Sequence, residues 1–334
     1  MIAITAGDPC GIGPEILLKV LARASGLPRP LVVIGSLPVF ERAAKRLRCR
    51  LPRWRAIRPE SPWPSPAPAL FCLDVGLPSA CEPGRSSAKA GRASLAYLDQ
   101  AIALWRAGRI RALVTAPVTK WAIQATHAAF VGQTEYLARA MGRRSVVMMF
   151  VSDRLRVVLL TRHLPLERVG AAITRPLLRR TVELTTRALA TQFGIRRPRL
   201  ALCGVNPHAG EGKGTRREEH TVMRPVLRSL RRRGVACEGP FAADGFFAAR
   251  GRMREYDAVV CAYHDQGLIP FKLMARDRGC QMTIGLPIVR TSPDHGSALD
   301  IAGRGLANPG SMRYALALAA QLMGHELRGG REHY

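Results

Sequence analysis

Short apolar runs alternate with helical patterns along the whole chain, and this alternation constrains the fold more than any other feature. Strand-like runs are predicted at 2–5, 31–34, 70–73, 112–115, 146–150, 156–160, 199–203, 257–262 and 282–285. Helices are predicted between them at 14–24, 37–47, 88–107, 134–141, 175–192 and 218–233. Such alternation predicts an α/β fold of parallel βαβ units with helices on both faces of the sheet. The proline- and tryptophan-rich segment 52–68 is interpreted as a surface excursion.

The composition limits the classes of protein that the chain can belong to. Its 334 residues suffice for one large α/β unit or for two domains. No signal-like segment precedes the strand-like start of the chain, and no apolar run approaches the roughly 18 residues of a membrane span. Eight scattered cysteines without a C-x-x-C pair fit a reducing compartment. We therefore predict a cytoplasmic protein with no membrane partner.

The net charge of +27 and the pI near 11.2 raise nucleic acid as a partner. The basic residues are mostly arginines, however, and they are dispersed along the chain. Their densest group, at 228–233, lies on a predicted surface helix, and an aromatic content of 6% leaves few stacking platforms. We therefore interpret the charge as an arginine-biased surface that can steer an anionic substrate, and we expect no nucleic acid partner.

Three histidines follow three of the predicted strands. His163, His208 and His264 each come after an apolar run, in turns rich in Gly, Pro, Asp or Asn. The carboxyl ends of parallel strands lie along one edge of a sheet, so these imidazoles can converge although they are distant in sequence. Three neutral imidazoles suit a divalent metal with open positions. The alternative for each is an ordinary hydrogen-bonded histidine at a strand end.

Several other segments carry groups that can bind anions. Lys272 and Arg290 are the best anion ligands, because each lies beside apolar, turn-bounded sequence near the histidines. Thr134 begins a predicted helix whose N–H groups can hold a phosphate. The alternative is that Thr134 is an ordinary N-cap residue, which has the same sequence pattern. The loop 5–15 resembles a phosphate loop only superficially, since it lacks both the Rossmann and the Walker spacing. The small-residue loop 295–309 can bind an extended ligand through its backbone.

Six segments together resemble one family. ITAGDPCGIGPEI, GQTEYLA, TRHLPL, GVNPHAGEG, YDAVVCAYHDQGLIPFK and TIGLPIVRTSPDHGSALDIAGRG resemble, in order from residue 4 to about residue 316, the 4-hydroxythreonine-4-phosphate dehydrogenases of pyridoxal phosphate biosynthesis. The loop HGSALDIAGRGLANP also resembles the NAD-binding loop of isocitrate and isopropylmalate dehydrogenases. The latter likeness implies a nicotinamide cofactor bound without a Rossmann fingerprint.

The resemblance implies an architecture. We expect two α/β/α lobes with mostly parallel sheets around a central cleft, as in isocitrate and isopropylmalate dehydrogenases. Lobe one would comprise 1–125 and 283–334 and carry the NAD-binding loop. Lobe two, at 126–282, would carry the metal ligands and the substrate contacts. The family also implies a homodimer with a shared active site.

The resemblance assigns roles to individual residues. One divalent metal, of the Zn, Co or Mg class, would be held by His163, His208 and His264, with one of the three histidines supplied by the partner subunit. NAD or NADP would contact His295, Gly296, Ser297, Ala298, Asp300 and Asn308. The small phosphorylated substrate would contact Gln133, Thr134, Asp244, Asp265, Lys272, Gln281 and Arg290. Lys272 or Asp265 would move the proton.

The implied reaction is oxidation of the secondary alcohol of 4-hydroxy-L-threonine 4-phosphate, followed by decarboxylation to 3-amino-2-oxopropyl phosphate. Two positions depart from the family pattern, since Gln133 stands where the family has His and Gln281 where it has Asn. The same chemistry on a four-carbon sugar acid phosphate or a cyclic dihydrodiol therefore remains an alternative. A phosphate acyltransferase-like enzyme is the alternative from another class, and the nicotinamide loop argues against it.

Overall fold

The strands of this protein are mostly buried on both faces. The structure is a computed structural model that describes residues 1–22, 26–63, 69–76, 81–211 and 217–329. The described strands are β1 (Ile2–Thr5), β2 (Leu31–Gly35), β3 (Arg55–Ile57), β4 (Leu70–Asp74), β5 (Ala112–Thr115), β6 (Val147–Ser152), β7 (Arg156–Leu159), β8 (Arg199–Cys203), β9 (Ala236–Phe241), β10 (Ala258–Cys261), β11 (Gly279–Ile284) and β12 (Val289–Ser292). β1, β2, β5 and β10 are buried at every residue, which is typical of strands covered by helices on both faces.

Helices connect most of these strands. The described α-helices are α1 (Gly13–Leu21), α2 (Leu37–Arg46), α3 (Ala88–Arg106), α4 (Lys120–Gln124), α5 (Gln133–Ala140), α6 (Val169–Ala172), α7 (Arg175–Thr191), α8 (Arg224–Arg232), α9 (Ala243–Ala248), α10 (Arg250–Met253), α11 (His264–Ala275) and α12 (Gly310–Gly329). Short 3₁₀ turns lie at Leu166–Arg168 and Pro207–Gly210, and a π-helical turn at Glu219–Met223 precedes α8. No helix in the described ranges is both long and apolar enough to span a bilayer.

The chain divides into two compact units. Unit one holds Met1–Ser145 and Leu286–Met323, and its strands are ordered β3-β4-β2-β1-β5-β12 with every pair parallel. β1 and β12 both flank β5, so their carboxyl ends lie at the same edge as that of β5. The loop after β1 and the residues that close β5 therefore meet at one edge of unit one.

Unit two holds Val146–Gly285 and the described residues from Gly324 onward, with strands ordered β11-β6-β7-β10-β8-β9. β7, β10, β8 and β9 are parallel neighbours, whereas β6 is antiparallel to both β7 and β11. The link from β6 to β7 is too short for the crossover that a parallel pair needs, and it folds as a hairpin instead. The carboxyl ends of β7, β10 and β8, which precede the three singled-out histidines, share one edge.

The structure differs from the sequence prediction in several elements. Segment 126–145, expected in lobe two, belongs to unit one. The second boundary, expected between residues 282 and 283, lies between Gly285 and Leu286. The predicted surface excursion contains β3, while its residues 64–68 lie outside the described part. β9, β12 and α11 were not predicted. The helix α11 contains Gly267 and Pro270, so its sequence lacks a clear helical signal.

Candidate active site

His163 and His264 lie next to each other in unit two. Their ring centroids are 5.8 Å apart. Thr161 holds the two chain segments that carry these histidines together. Its backbone N–H and its hydroxyl both donate to the carbonyl of Ala262, at 3.2 and 2.7 Å. These bonds continue the pairing of β7 with β10 beyond the strand ends, and His163 and His264 each follow two residues later. The ends of two parallel strands thus bring together two of the three histidines that were predicted to converge.

Asp265 orients the ring of His264. Its Oδ1 lies 2.6 Å from Nδ1 of the histidine. An ionised carboxylate only accepts hydrogen bonds, so Nδ1 carries a proton, and the neutral form of this imidazole has its lone pair on Nε2. This carboxylate–histidine arrangement is common behind metal-binding imidazoles. The side chains of both residues are exposed, at 41% and 71%.

The turn that carries His208 has an unusual backbone. His208 and Ala209 both adopt positive φ, at 54° and 52°, which costs about 1–2 kcal/mol for each L-residue. The buried carboxylate of Glu219 holds the turn by accepting from the N–H groups of Val205 and Asn206 at 2.8 and 2.9 Å. A strained turn anchored by a buried carboxylate points to a functional role for this segment.

Gln266 connects the His208 turn to the start of α11. Its amide nitrogen donates to the carbonyl of Gly204 at 2.6 Å, and its amide oxygen accepts from the N–H of Ala262 at 2.7 Å. One side chain therefore ties the end of β10 to the end of β8. In the part of the chain that the structure describes, however, no three His, Cys, Asp or Glu side chains are arranged to hold a metal. The described residues of one chain thus bring a histidine pair together and do not supply a complete ligand set.

The other residues singled out in unit two are spread over different environments. Lys272 lies in the last turn of α11 and is exposed, as is Asp244 in the first turn of α9. Gln281 is buried in β11, and its amide nitrogen donates to the Thr283 hydroxyl at 3.1 Å.

Arg290 forms the core of a buried polar pocket in unit one. It lies in β12 and is 2% exposed. Its Nη2 donates to Oγ1 of Thr115, which closes β5, at 2.6 Å, and its Nη1 donates to Oγ1 of Thr134 at 3.4 Å. Thr134 is the second residue of α5, whose first N–H groups have no partner within the helix. A buried guanidinium beside a helix N-terminus is an arrangement that binds phosphate.

Gln133 begins α5 next to this pocket. Its Nε2 donates to the carbonyl of Ala116 at 3.2 Å, whereas its buried Oε1 has no hydrogen-bond partner among the described residues. A buried unpartnered acceptor costs about 1–3 kcal/mol, so a ligand that donates a hydrogen bond there is stabilised.

The loop 295–309 is clamped onto the start of α1. The carboxylate of Glu15, which is 2% exposed, accepts from the N–H groups of Gly305 and Ala307 at 3.3 and 2.9 Å. Lys19 donates to the carbonyls of the same two residues at 2.8 and 2.7 Å. These contacts give two residues of the sequence GDPCGIGPE a structural role. Its glutamate, Glu15, holds the loop 295–309, and its Gly11 lies close to the same loop. A Cβ on Gly11 would come within 2.9 Å of the Ser297 carbonyl oxygen.

The residues proposed for the nicotinamide cofactor occupy different positions in that loop. Ser297 is buried, accepts from the Ile12 N–H at 3.0 Å and lies 3.1 Å from the Thr119 hydroxyl. The His295 Nε2 is enclosed without a hydrogen-bond partner in the described ranges. Gly296 and Asp300 are exposed, Ala298 has a φ of 41°, and Asn308 caps the first turn of α12 through Gly310 N–H at 2.8 Å.

Three residues that position this machinery were not found from the sequence. Thr115 ends the predicted strand 112–115, and a hydroxyl at the carboxyl end of a strand is the signal that could have identified it. Glu15 and Glu219 are buried carboxylates on helices, and only their burial, at 2% and 0%, distinguishes them from surface glutamates.

The comparisons with known proteins agree with one another. The family model for the pyridoxal phosphate biosynthetic protein PdxA matches residues 27–319. The 4-hydroxythreonine-4-phosphate dehydrogenase of Chromobacterium violaceum is 43% identical over 325 residues, which is 97% of this chain and 97% of that protein.

Solved structures give the same result. The 4-hydroxythreonine-4-phosphate dehydrogenase of Klebsiella pneumoniae matches with a TM-score of 0.83 and 35% identity, over 97% of this chain and 99% of that one. A terephthalate 1,2-cis-dihydrodiol dehydrogenase from Burkholderia xenovorans matches with a TM-score of 0.63 and 33% identity, over 96% and 97%. Isocitrate dehydrogenase from Methylococcus capsulatus, at 18% identity and a TM-score of 0.50 over 99% and 87%, shows the fold alone. The predicted isocitrate dehydrogenase-like fold is confirmed.

Proposed function

Because the chain belongs to the PdxA family of pyridoxal phosphate biosynthetic proteins, we propose that it oxidises the secondary alcohol of 4-hydroxy-L-threonine 4-phosphate and passes the hydride to NAD or NADP. The β-keto acid that results loses carbon dioxide to give 3-amino-2-oxopropyl phosphate. The observation that carries the proposal is the buried pocket of Arg290 and Thr134 in a chain 43% identical to a 4-hydroxythreonine-4-phosphate dehydrogenase.

The pocket in unit one supports phosphate recognition. Arg290 is held by Thr115 and Thr134, so its planar guanidinium is oriented before a ligand arrives. The N–H groups at the start of α5 add hydrogen-bond donors and a favourable dipole. The buried acceptor of Gln133 suits a hydroxyl or ammonium group of the same substrate. Asp244 and Gln281 are further proposed substrate contacts.

The histidines suit a divalent metal of the Zn, Co or Mg class. His163 and His264 are adjacent, and Asp265 leaves Nε2 of His264 with its lone pair, so the donor chemistry fits. Such an ion polarises the substrate's oxygen atoms when it is bound. Because the described residues of one chain bring two imidazoles together and no complete ligand set, we propose that a homodimer completes the set formed by His163, His208 and His264.

We assign different roles to Asp265 and Lys272. Asp265 accepts the hydrogen bond from His264, so we assign this carboxylate to positioning the imidazole. Lys272 is exposed in the last turn of the helix that His264 begins. An exposed ammonium can exchange protons with solvent, and we therefore assign the proton transfer to Lys272.

The loop 295–309 is the proposed nicotinamide site. Glu15 and Lys19 fix its backbone at Gly305 and Ala307, so its conformation is set before the cofactor binds. Ser297, which Gly296 and Ala298 flank in the chain, contacts the β1–α1 loop through the Ile12 N–H. The exposed Asp300 carboxylate suits the ribose hydroxyls.

The experiment that tests the proposal measures NADH or NADPH formation by metal-loaded protein. Three substrates are compared: 4-hydroxy-L-threonine 4-phosphate, a four-carbon sugar acid phosphate and a cyclic dihydrodiol. We expect turnover of the amino acid phosphate, lost on chelation and restored by added metal. Turnover of either other compound alone would keep the hydride chemistry and overturn the substrate assignment.

A further inference from the structure

Two thiols lie in contact beside the β1–α1 loop of unit one. Cys10 belongs to this loop and is 1% exposed, whereas Cys81 is half-buried. The Cys10 thiol and the sulfur of Cys81 are hydrogen-bonded to each other. The N–H of Gly84 donates to the Cys10 carbonyl at 2.8 Å, which joins the segment after Cys81 to the loop. The backbone therefore holds the two sulfurs close together.

Cys81 also lines a cavity of about 420 Å³ within unit one. The charged residues on its wall are Arg42, Lys45, Arg46, Glu15 and Glu82. Glu15 already pairs with Lys19 at 2.8 Å, so the remaining wall has an excess of positive charge. The cavity gives a small anionic molecule a route to Cys81 and an electrostatic reason to enter.

The two thiols differ chemically. The hydrogen bond from Cys10, together with the Arg42 guanidinium, lowers the pKa of Cys81. The same hydrogen bond and burial raise the pKa of Cys10. The thiolate is the nucleophilic form of cysteine, so Cys81 is suited to attack and the enclosed Cys10 is suited to a second step.

We propose that Cys81 and Cys10 are a redox-active pair that exchanges with small anionic disulfides such as oxidised glutathione. The Cys81 thiolate attacks one sulfur of the disulfide, the S–S bond breaks, and one thiolate leaves. Cys10 then loses its proton and attacks the sulfur of Cys81, which forms the Cys10–Cys81 bond and releases the second thiol. Two protein thiols are oxidised and one small disulfide is reduced to two thiols. This chemistry does not depend on the dehydrogenase reaction.

Unit two contains a natural control. Cys203 and Cys261 lie on the neighbouring strands β8 and β10, are hydrogen-bonded, and are both 0% exposed. Burial and this contact raise the pKa of Cys261. A second thiol pair is thus present without access to solvent, and we expect it to be inert.

The test treats the reduced full-length protein with oxidised glutathione and traps remaining thiols by alkylation. Mass spectrometry of unreduced peptides should show Cys10 linked to Cys81, with reversal by dithiothreitol, and Cys203 and Cys261 unmodified. The Cys10→Ser variant should stop at a stable glutathione adduct on Cys81. In native protein, Cys81 should be alkylated at least about tenfold faster than either thiol of the buried pair.

The unmutated protein alone decides the outcome, even where a variant does not fold. A persistent glutathione adduct on Cys81 of that protein would mean that Cys10 does not resolve it, and this would overturn the pair. Modification of Cys49 with none at Cys81 would overturn it as well. Both results are independent of turnover, so they are separate from any failure of the proposed dehydrogenase activity.

Discussion

The Arg290 pocket of unit one and the histidine pair of unit two represent two ways of preparing a site. Arg290 is 2% exposed and bonded to two threonine hydroxyls, so its geometry exists before any ligand binds. His264 is 41% exposed in its side chain, and its described partner is the neighbouring Asp265. The described hydrogen bonds of the pocket lie within one chain, while we propose that the histidine pair gains its remaining partners when a metal binds. We therefore expect mutations to alter binding in unit one and metal retention in unit two.

The largest effect is expected for His163→Ala. Loss of one imidazole from the pair removes a proposed metal ligand, and turnover should fall by more than the roughly 10–100-fold that loss of an outer partner costs. Bound metal per chain, measured by atomic emission beside kcat, checks this. His220→Ala is the matched control, because His220 is an exposed histidine of the same unit. Normal metal content and kcat in His163→Ala would remove His163 from the site.

Arg290→Ala should act on substrate capture. A hydrogen bond to a charged group contributes about 1.5–3 kcal/mol, so loss of one such bond to the phosphate should raise KM about 10–150-fold. Bound metal should be unchanged, which separates this pocket from the histidines. Kinetics with substrate at saturating and limiting concentration provide the measurement.

Two companions sharpen the Arg290 test. Arg290→Lys keeps the charge but loses the planar fork, so it should recover only part of the affinity. Arg109→Ala removes an exposed arginine of unit one and should leave KM unchanged. Equal KM values in all three variants would contradict the phosphate pocket.

Asp265→Asn should reduce metal affinity by about 10–100-fold while the fold is retained. The amide oxygen can still accept from Nδ1 of His264, but the negative charge that strengthens this bond is lost. Metal titration into chelator-treated protein, with thermal unfolding as the control, checks the change. If kcat falls while metal affinity stays the same, Asp265 acts in proton transfer and the positioning role is wrong.

The same comparison shows which features the sequence could reveal. His163 and His264 follow the parallel neighbours β7 and β10, whose carboxyl ends share an edge, so the proximity of these two histidines was predictable. Arg290 was identified as an anion ligand, but its strand, VRTS, was missed because three of its four residues are polar. The guanidinium is stable there because Thr115 and Thr134 accept from it, at sequence separations of 175 and 156 residues. Compensation over such distances is not encoded in any local pattern.

The helix α11 and the antiparallel orientation of β6 were missed for related reasons. Gly267 and Pro270 weaken the local helical signal, and the buried Leu268 and Phe271 hold the helix through tertiary contacts. Apolar runs are alike in parallel and antiparallel strands, so the orientation of β6 depended on the length of its link to β7.

The smallest effect is expected for Gln133→His, the change toward the family pattern. The Nε2 of Gln133 donates to the Ala116 carbonyl, and its buried Oε1 has no hydrogen-bond partner among the described residues. A histidine ring N–H can keep the hydrogen bond to the Ala116 carbonyl, and in the cationic form the ring offers a second donor in place of the acceptor Oε1. A single shifted polar partner should change the ratio of kcat/KM between the amino acid phosphate and the sugar acid phosphate by about tenfold.

The Gln133→His ratio is read against Gln281→Asn, the second change toward the family pattern. Gln281 is buried in unit two and bonds to the Thr283 hydroxyl, so its shortening should alter stability more than selectivity. Competition between the two substrates at limiting concentration measures the ratio directly, because both then sample the same free enzyme. A changed ratio in Gln133→His alone would place substrate discrimination beside the preformed Arg290 pocket. An unchanged ratio in both variants would mean that neither glutamine contacts a part of the substrate in which the two compounds differ.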